Sequence, residues 1–169
     1  MRACRSTSER FIVKCNLRAC ILAAGFVFAS PSFGASTCTI QSLPILGFPN
    51  YDVFVAAPTV TSAIATIRCT GSGSLPSFTV GMGQSATSNS ISGRQMAQQG
   101  LGNTGRLNYN IYKDGGYSSL WGDGTAGTTP LVVTTAGLNT QVPIYGKIDP
   151  GQDAPVGNYK DTVIMSVNP

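Results

Sequence analysis

The side chains that could support catalysis are few, and most of them stand in turn sequences. The chain has no histidine, which removes serine–histidine and cysteine–histidine catalysis and most zinc sites. Paired aspartates can hydrolyse glycosides, but the aspartates here lie mainly beside glycine, as in Asp114-Gly115, Asp123-Gly124 and Asp149-Pro150-Gly151. Such sequences are typical of turns, because aspartate caps a turn and glycine accepts a positive φ. We therefore predict no enzymatic activity and no cofactor or metal.

The first 34 residues have the composition of a signal peptide. A long basic region is followed by an apolar run at residues 19–29 and then by a helix-breaking segment with Pro31. Small residues at Ser32 and Gly34 suit signal peptidase. A membrane anchor is the alternative, but the run is far shorter than the 20 or so apolar residues of a bilayer span. We predict cleavage before Ala35, a single mature domain at residues 35–169, and export to the periplasm and then to the cell surface or medium.

Two cysteines, Cys38 and Cys69, remain after this segment. In an exported domain such a pair most simply forms one disulfide bond. Two free or metal-bound thiols are the alternative. We predict the disulfide, because no histidine is available to complete a zinc site.

The mature domain has no excess of either charge. After residue 34 the chain has six basic and six acidic residues, so the net charge of +4 comes from the leader. Nothing in this balance predicts nucleic-acid binding. A neutral and weakly charged surface instead favours association with other proteins, which suits an assembling subunit.

Short alternating segments separated by glycine-rich turns favour an all-β fold. Apolar alternation predicts strands at residues 60–69, 78–82, 107–111, 131–134, 142–148 and 159–167. About seven short strands at this spacing predict an antiparallel sandwich or barrel. The polar run at residues 84–105 is predicted to be a long loop.

Two further interpretations concern the last strand and the tryptophan. Strand 159–167 is predicted to present Tyr159, Asp161, Val163, Met165 and Val167 on one face. Trp121 is interpreted as a core anchor whose indole N–H needs one acceptor. A carbohydrate-stacking platform is the alternative, which an exposed Trp121 beside tyrosines would favour.

Six short motifs follow one another in the mature chain. The first is the cysteine pair, with Gly47-Phe48 and Tyr51 between its two members. The motifs that follow contain Arg94, Met96, Tyr109, Asn110, Tyr112, Asp114, Trp121, Gly122, Tyr145, Gly146, Gly157, Tyr159 and Asp161. In their order and spacing the sequence resembles the spore coat protein U domain family, which includes the subunits of archaic chaperone–usher pili. Each motif alone is weak, but together they cover nearly the whole mature chain.

The resemblance implies an immunoglobulin-like β-sandwich that lacks its final strand. In such pilins a periplasmic chaperone first fills the open groove, and a strand of another pilus subunit replaces it at an outer-membrane usher. Val163, Met165 and Val167 would then line the groove for the partner strand. The implied function is a subunit of a surface fimbria or coat, with a role in adhesion or biofilm formation. A secreted carbohydrate-binding module and a coat protein not assembled into pili are the alternatives.

One departure from the family pattern concerns strand donation. After the predicted cleavage only Ala35, Ser36 and Thr37 precede Cys38, whereas a donor strand needs about ten alternating residues. We therefore expect a subunit that accepts a strand without donating one, at the distal end of a fibre or in a coat.

Overall fold

A computed structural model describes residues 37–70, 77–102, 104–134 and 138–168, which all lie in one compact unit of the chain, Phe33–Pro169. The predicted signal segment and its cleavage site lie outside these residues. The described chain forms nine strands: β1 (Thr37–Ser42), β2 (Thr59–Thr70), β3 (Phe78–Ser85), β4 (Arg94–Gln98), β5 (Arg106–Tyr112), β6 (Leu131–Val133), β7 (Asn139–Ile148), β8 (Tyr159–Lys160) and β9 (Val163–Asn168). No helix in the described ranges is long and apolar enough to cross a membrane.

The strands form two sheets that share one apolar core. The larger sheet has the order β1-β2-β7-β5-β4-β8, and the smaller has the order β6-β3-β9. All pairs of these strands are antiparallel. This architecture confirms the predicted all-β fold, an immunoglobulin-like antiparallel sandwich.

Strand alternation explains where the core lies. Each strand turns every second side chain inward, and the fully buried residues of both sheets meet there: Ile67 and Cys69 from β2, Val142 and Ile148 from β7, and Phe78 and Val80 from β3. Burial of one such side chain stabilises a fold by about 1.5–3 kcal/mol. The shared core therefore fixes the positions of the two sheets, and of their edge strands, relative to each other.

The prediction of a long loop at residues 84–105 is wrong. Strand β3 continues to Ser85, and β4 occupies Arg94–Gln98 between β5 and β8. The pattern of β4 was hidden because one of its two buried residues is a charged one, Arg94, and the other is Met96. Hydrophobic alternation does not detect a strand with a buried arginine.

The predicted single strand at residues 159–167 is also wrong, because it is two strands in different sheets. Lys160 of β8 pairs with Ala97 of β4 in the larger sheet, whereas β9 pairs with β3 in the smaller one. The predicted alternation nevertheless holds in β9, where Met165 is buried and Ile164 is 75% exposed. A period of two assigns a face but does not say to which sheet the strand belongs.

Candidate strand-acceptor site

Strand β9 is an edge strand with one apolar face. It pairs only with β3 among the described residues, so one row of its main-chain N–H and C=O groups has no strand beside it. Met165 is buried on its inner face, and Val163 and Val167 are half-buried there. Ile164 lies on the outer face. An edge with unpaired main-chain groups and apolar inward side chains can bind another strand.

Strand β1 is one of the two edge strands of the other sheet and lies near β9. Cα atoms of the two strands approach within 8 Å, although the strands belong to different sheets. We call the region bounded by these two edge strands the β1–β9 cleft. Ile40 of β1 is 36% exposed on the same strand face as buried Cys38. Sequence reasoning missed Ile40, although its spacing from Cys38 could have identified it.

The predicted disulfide between Cys38 and Cys69 is present and secures the β1 wall of this cleft. The two residues are directly opposite in the β1–β2 pair, and they form a bond with a Cα–Cα distance of 4.0 Å. Cys69 is fully buried. A covalent link at this pair limits movement of β1 away from β2, so it holds one edge of the cleft in place.

Asp161 lies between β8 and β9, where the chain changes sheets. Its Oδ2 accepts a hydrogen bond from the Tyr109 hydroxyl at 2.8 Å. Its Oδ1 accepts one from the Thr87 hydroxyl at 2.9 Å and one from the Thr87 N–H at 3.1 Å. Burial raises the pKa of this carboxyl, but the hydrogen bonds, led by that of Tyr109, lower it overall. Burial and the same hydrogen bond raise the pKa of Tyr109.

Arg94 is a fully buried charged residue that reaches from β4 to the other sheet. Its Nη2 donates to the carbonyl oxygens of Met82 at 2.9 Å, Gly83 at 2.8 Å and Trp121 at 2.9 Å. Its Nε also donates to Gly83 at 3.3 Å. The remaining nitrogen, Nη1, is buried without a hydrogen-bond partner in the described part of the chain. Burial lowers the pKa of Arg94, and Tyr109, Asp161 and Asp123 oppose that shift.

Trp121 and Gly122 connect a loop segment to β3 by hydrogen bonds. Trp121 is 0% exposed, and its Nε1 donates to the carbonyl oxygen of Val80 at 2.8 Å. The carbonyl of Gly122 accepts from the Met82 N–H at 3.1 Å. A Cβ on Gly122 would overlap the side chain of Thr128. A buried Trp121 does not provide the exposed stacking surface on which the carbohydrate-binding alternative depended.

Two tyrosines and a glycine of the predicted motifs, Tyr112, Tyr145 and Gly146, pack against neighbouring aromatic rings. Tyr112 and Tyr145 each contact Tyr117 edge to face, at centroid distances of 5.7 and 6.4 Å. Gly146 leaves space for Phe48, since a Cβ there would lie 2.7 Å from the Phe48 ring. These contacts of Tyr117 hold the segment at residues 113–120 against the larger sheet.

The remaining predicted residues also have structural contacts. Asn110 donates to the Ser92 carbonyl at 2.7 Å, and Asp114 accepts from the Ser119 N–H at 2.7 Å. A Cβ on Gly157 would lie 2.7 Å from the Gln98 side chain. Tyr159 donates to the Pro155 carbonyl at 2.6 Å. The predicted site residues are therefore not gathered in one pocket, although Val163, Met165 and Val167 share the inner face of β9.

Comparison with known protein families gives a match over most of the chain. A family model described as Spore Coat Protein U domain matches residues 24–166. The matched region begins within the predicted signal segment and extends into β9. No curated protein sequence matches the chain.

Solved structures of pilus proteins are similar to the chain. The chain matches the CsuC–CsuE chaperone–tip adhesion subunit pre-assembly complex of archaic Csu pili from Acinetobacter baumannii at 19% identity and a TM-score of 0.50, over 79% of this chain and 40% of that one. The E. coli Hda pilus minor tip subunit, HdaB, matches at 17% identity and a TM-score of 0.36, over 78% of this chain and 79% of that one. A chaperone–tip adhesin complex of CFA/I fimbriae biogenesis matches at 11% identity and a TM-score of 0.38, over 79% and 42%. The chain thus spans less than half of the CsuC–CsuE chain that it resembles, and the likeness to that chain shows the fold.

Proposed function

The chain belongs to the Spore Coat Protein U domain family, and on that premise we propose that it is an exported structural subunit of a surface pilus or coat. In this proposal, a strand from a partner protein completes its sandwich at the β1–β9 cleft. The observation that carries the proposal is the free edge of β9, whose inward face is apolar. A periplasmic chaperone, an outer-membrane usher and other pilus subunits are the proposed partners, and adhesion or biofilm formation is the proposed role of the assembly.

Strand addition at this edge would combine two sources of affinity. The main-chain groups of β9 would form the hydrogen bonds of a new strand pair, which fix the direction and position of the partner. The inward side chains of the partner would contact Val163, Val167 and Ile40, which are part-exposed around the cleft. Each apolar side chain buried in this way contributes up to about 1.5–3 kcal/mol. An unfilled cleft of this kind is an aggregation hazard, which a chaperone would relieve.

The motif residues support a structural role more than a catalytic one. The carboxylate of Asp114 accepts hydrogen bonds from the N–H groups of Gly116, Ser118 and Ser119. The carboxylate of Asp161 accepts hydrogen bonds from the hydroxyl groups of Tyr109 and Thr87. Both carboxylates thus stabilise the backbone around them, and we propose no reaction for them.

Binding of a synthetic strand peptide tests the proposal. The probe is a peptide of about 12 residues in which valine and threonine alternate, added to the purified, disulfide-bonded protein. Val167→Asp places a charge on the inner face of β9, whereas Ile164→Asp places the same charge on the outer face of the same strand. We expect Val167→Asp to weaken binding about tenfold or more, since one buried valine contributes about 1.5 kcal/mol, and Ile164→Asp to have little effect.

Tryptophan fluorescence of both variants shows whether they remain folded. A folded wild-type protein that binds no strand peptide would contradict the proposal. Equal losses in the two variants would also contradict it, because they would show that binding does not depend on the inner face of β9.

A further inference from the structure

The pairing of β3 with β9 contains an irregularity that decides which side chains face the cleft. Met82 is opposite Met165, but the next pair is Ser85 with Val163. Two residues, Gly83 and Gln84, therefore lie opposite the single residue Ile164. This two-against-one arrangement is a β-bulge, and we call it the Gly83–Gln84 bulge.

The bulge allows β3 and β9 to keep their buried side chains on the same side of the sheet on both sides of the irregularity. Met82 and Ser85 are three positions apart, so strict alternation would place them on opposite faces, yet both are buried. A bulge absorbs the extra residue. If Ser85 stayed opposite Val163 without a bulge, Ser166 instead of Met165 would lie opposite the buried Met82. That one-residue slip would turn Ser166 inward and Met165 outward.

Arg94 is placed to hold this bulge. Its guanidinium comes from β4 of the other sheet and donates to the carbonyl oxygens of Met82 and Gly83, the first of which precedes the bulge and the second of which lies within it. Buried main-chain carbonyls need a hydrogen-bond donor, and Arg94 is one for both of these. A planar guanidinium supplies several donors in fixed directions, which a lysine ammonium does not.

We propose that Arg94 is a positioning residue for strand acceptance: by holding the Gly83–Gln84 bulge, it fixes the register of β9 and thereby the face that β9 presents to the cleft. This inference rests on the proposed function for its biological meaning, but the register of β9 can be measured without a partner. The hydrogen bonds of Arg94 go to carbonyls of β3 and of Trp121, so in this proposal its effect on β9 is transmitted through β3.

Backbone NMR of the purified protein with Arg94→Met and Arg94→Lys tests the inference. Cross-strand NOEs between Met82 and Met165 report the register of β9, and those between Ala65 and Val142 report the β2–β7 pair. Arg68→Met is the matched control, because Arg68 is an exposed arginine of β2. The affinity of the alternating valine–threonine peptide is measured in parallel.

We expect Arg94→Met to lose the Met82–Met165 NOEs and about tenfold or more in peptide affinity, while the Ala65–Val142 NOEs remain. Arg94→Lys retains a buried cation, so it is expected to give a smaller change of the same kind, and Arg68→Met none. Unchanged Met82–Met165 NOEs in both Arg94 variants would overturn the inference. Loss of both sets of NOEs together, or failure of both variants to fold, would also overturn it, because Arg94 would then support the scaffold in general. Failure of the wild type to bind the peptide would count against the proposed function and leave the NOE result to decide the register.

Discussion

The hydroxyl of Tyr109 donates a hydrogen bond of 2.8 Å to Asp161, which lies 52 residues further along the chain. Tyr109 belongs to β5 of the larger sheet, and Asp161 immediately precedes the segment that enters the smaller sheet. The bond therefore ties the core of one sheet to the start of the edge strand of the other. Since β9 borders the cleft, contacts that have no direct part in partner binding still determine where its edge lies.

The disulfide is expected to make a large contribution to stability. Replacing both Cys38 and Cys69 by alanine removes a link between residues 31 positions apart, which should lower the free energy of unfolding by about 3–4 kcal/mol in the chain-entropy account. Urea unfolding of the double variant measures the loss. Wild-type protein treated with a reductant is the control, because it breaks the bond without removing either side chain. Coincident urea midpoints for reduced and oxidised wild type would contradict this expectation.

Trp121 is expected to behave as a buried anchor in solution. It is the sole tryptophan of the chain, so its fluorescence should be blue-shifted and resistant to acrylamide quenching in the folded state. Trp121→Phe leaves the Val80 carbonyl without its indole donor, which should cost about 1–3 kcal/mol. Trp121→Ala should cost about 3–5 kcal/mol. Emission at the wavelength of free tryptophan in the folded protein would instead revive the carbohydrate-stacking interpretation.

Gly122 is expected to tolerate no side chain. A Cβ at this position would overlap the side chain of Thr128, so Gly122→Ala should destabilise the fold by about 1–3 kcal/mol. Gly47→Ala is the matched control, because a Cβ there would meet nothing within 4 Å. Thermal unfolding of the two variants makes the comparison. Equal melting temperatures would show that the 121–128 segment adapts to the added methyl group.

Sequence alternation predicted the faces of the strands better than it predicted their partners. It identified Met165 as inward on β9 because that choice depends on local chain geometry. It could not identify the change of sheet at Asp161, because that change is stabilised by Tyr109 and Thr87, which are distant in the sequence. Strand β4 was missed for a related reason. The acceptors that allow Arg94 to be buried, such as the Gly83 carbonyl, are main-chain groups that leave no residue-type signature.

The hydrogen bonds of Asp161 should make folding stability depend on pH in the acid range. They lower the pKa of Asp161 in the folded protein, so the folded state binds its proton less readily than the unfolded state does. The resulting stability is present above the ordinary aspartate pKa of about 4 and is lost as the pH falls through the lower folded value. Asp114 and Asp123, whose pKa values are also lowered by hydrogen bonds, should contribute to the same acid destabilisation.

Comparison with Asp161→Asn separates this residue from the other two. The variant keeps a similar shape but carries no charge, so it should be less stable than wild type at neutral pH and should approach wild type as the pH falls. Tyr109→Phe removes one hydrogen-bond donor to the Asp161 carboxylate. The free energy of unfolding of this variant should therefore depend less on pH in the acid range than that of wild type. Urea midpoints measured from neutral pH down to about pH 3 give the two difference curves, with Asp153→Asn as a control for loss of an exposed carboxylate. A wild-type minus Asp161→Asn difference that stays constant with pH would contradict this prediction, because it would mean that the Tyr109–Asp161 contact does not favour the ionised carboxylate.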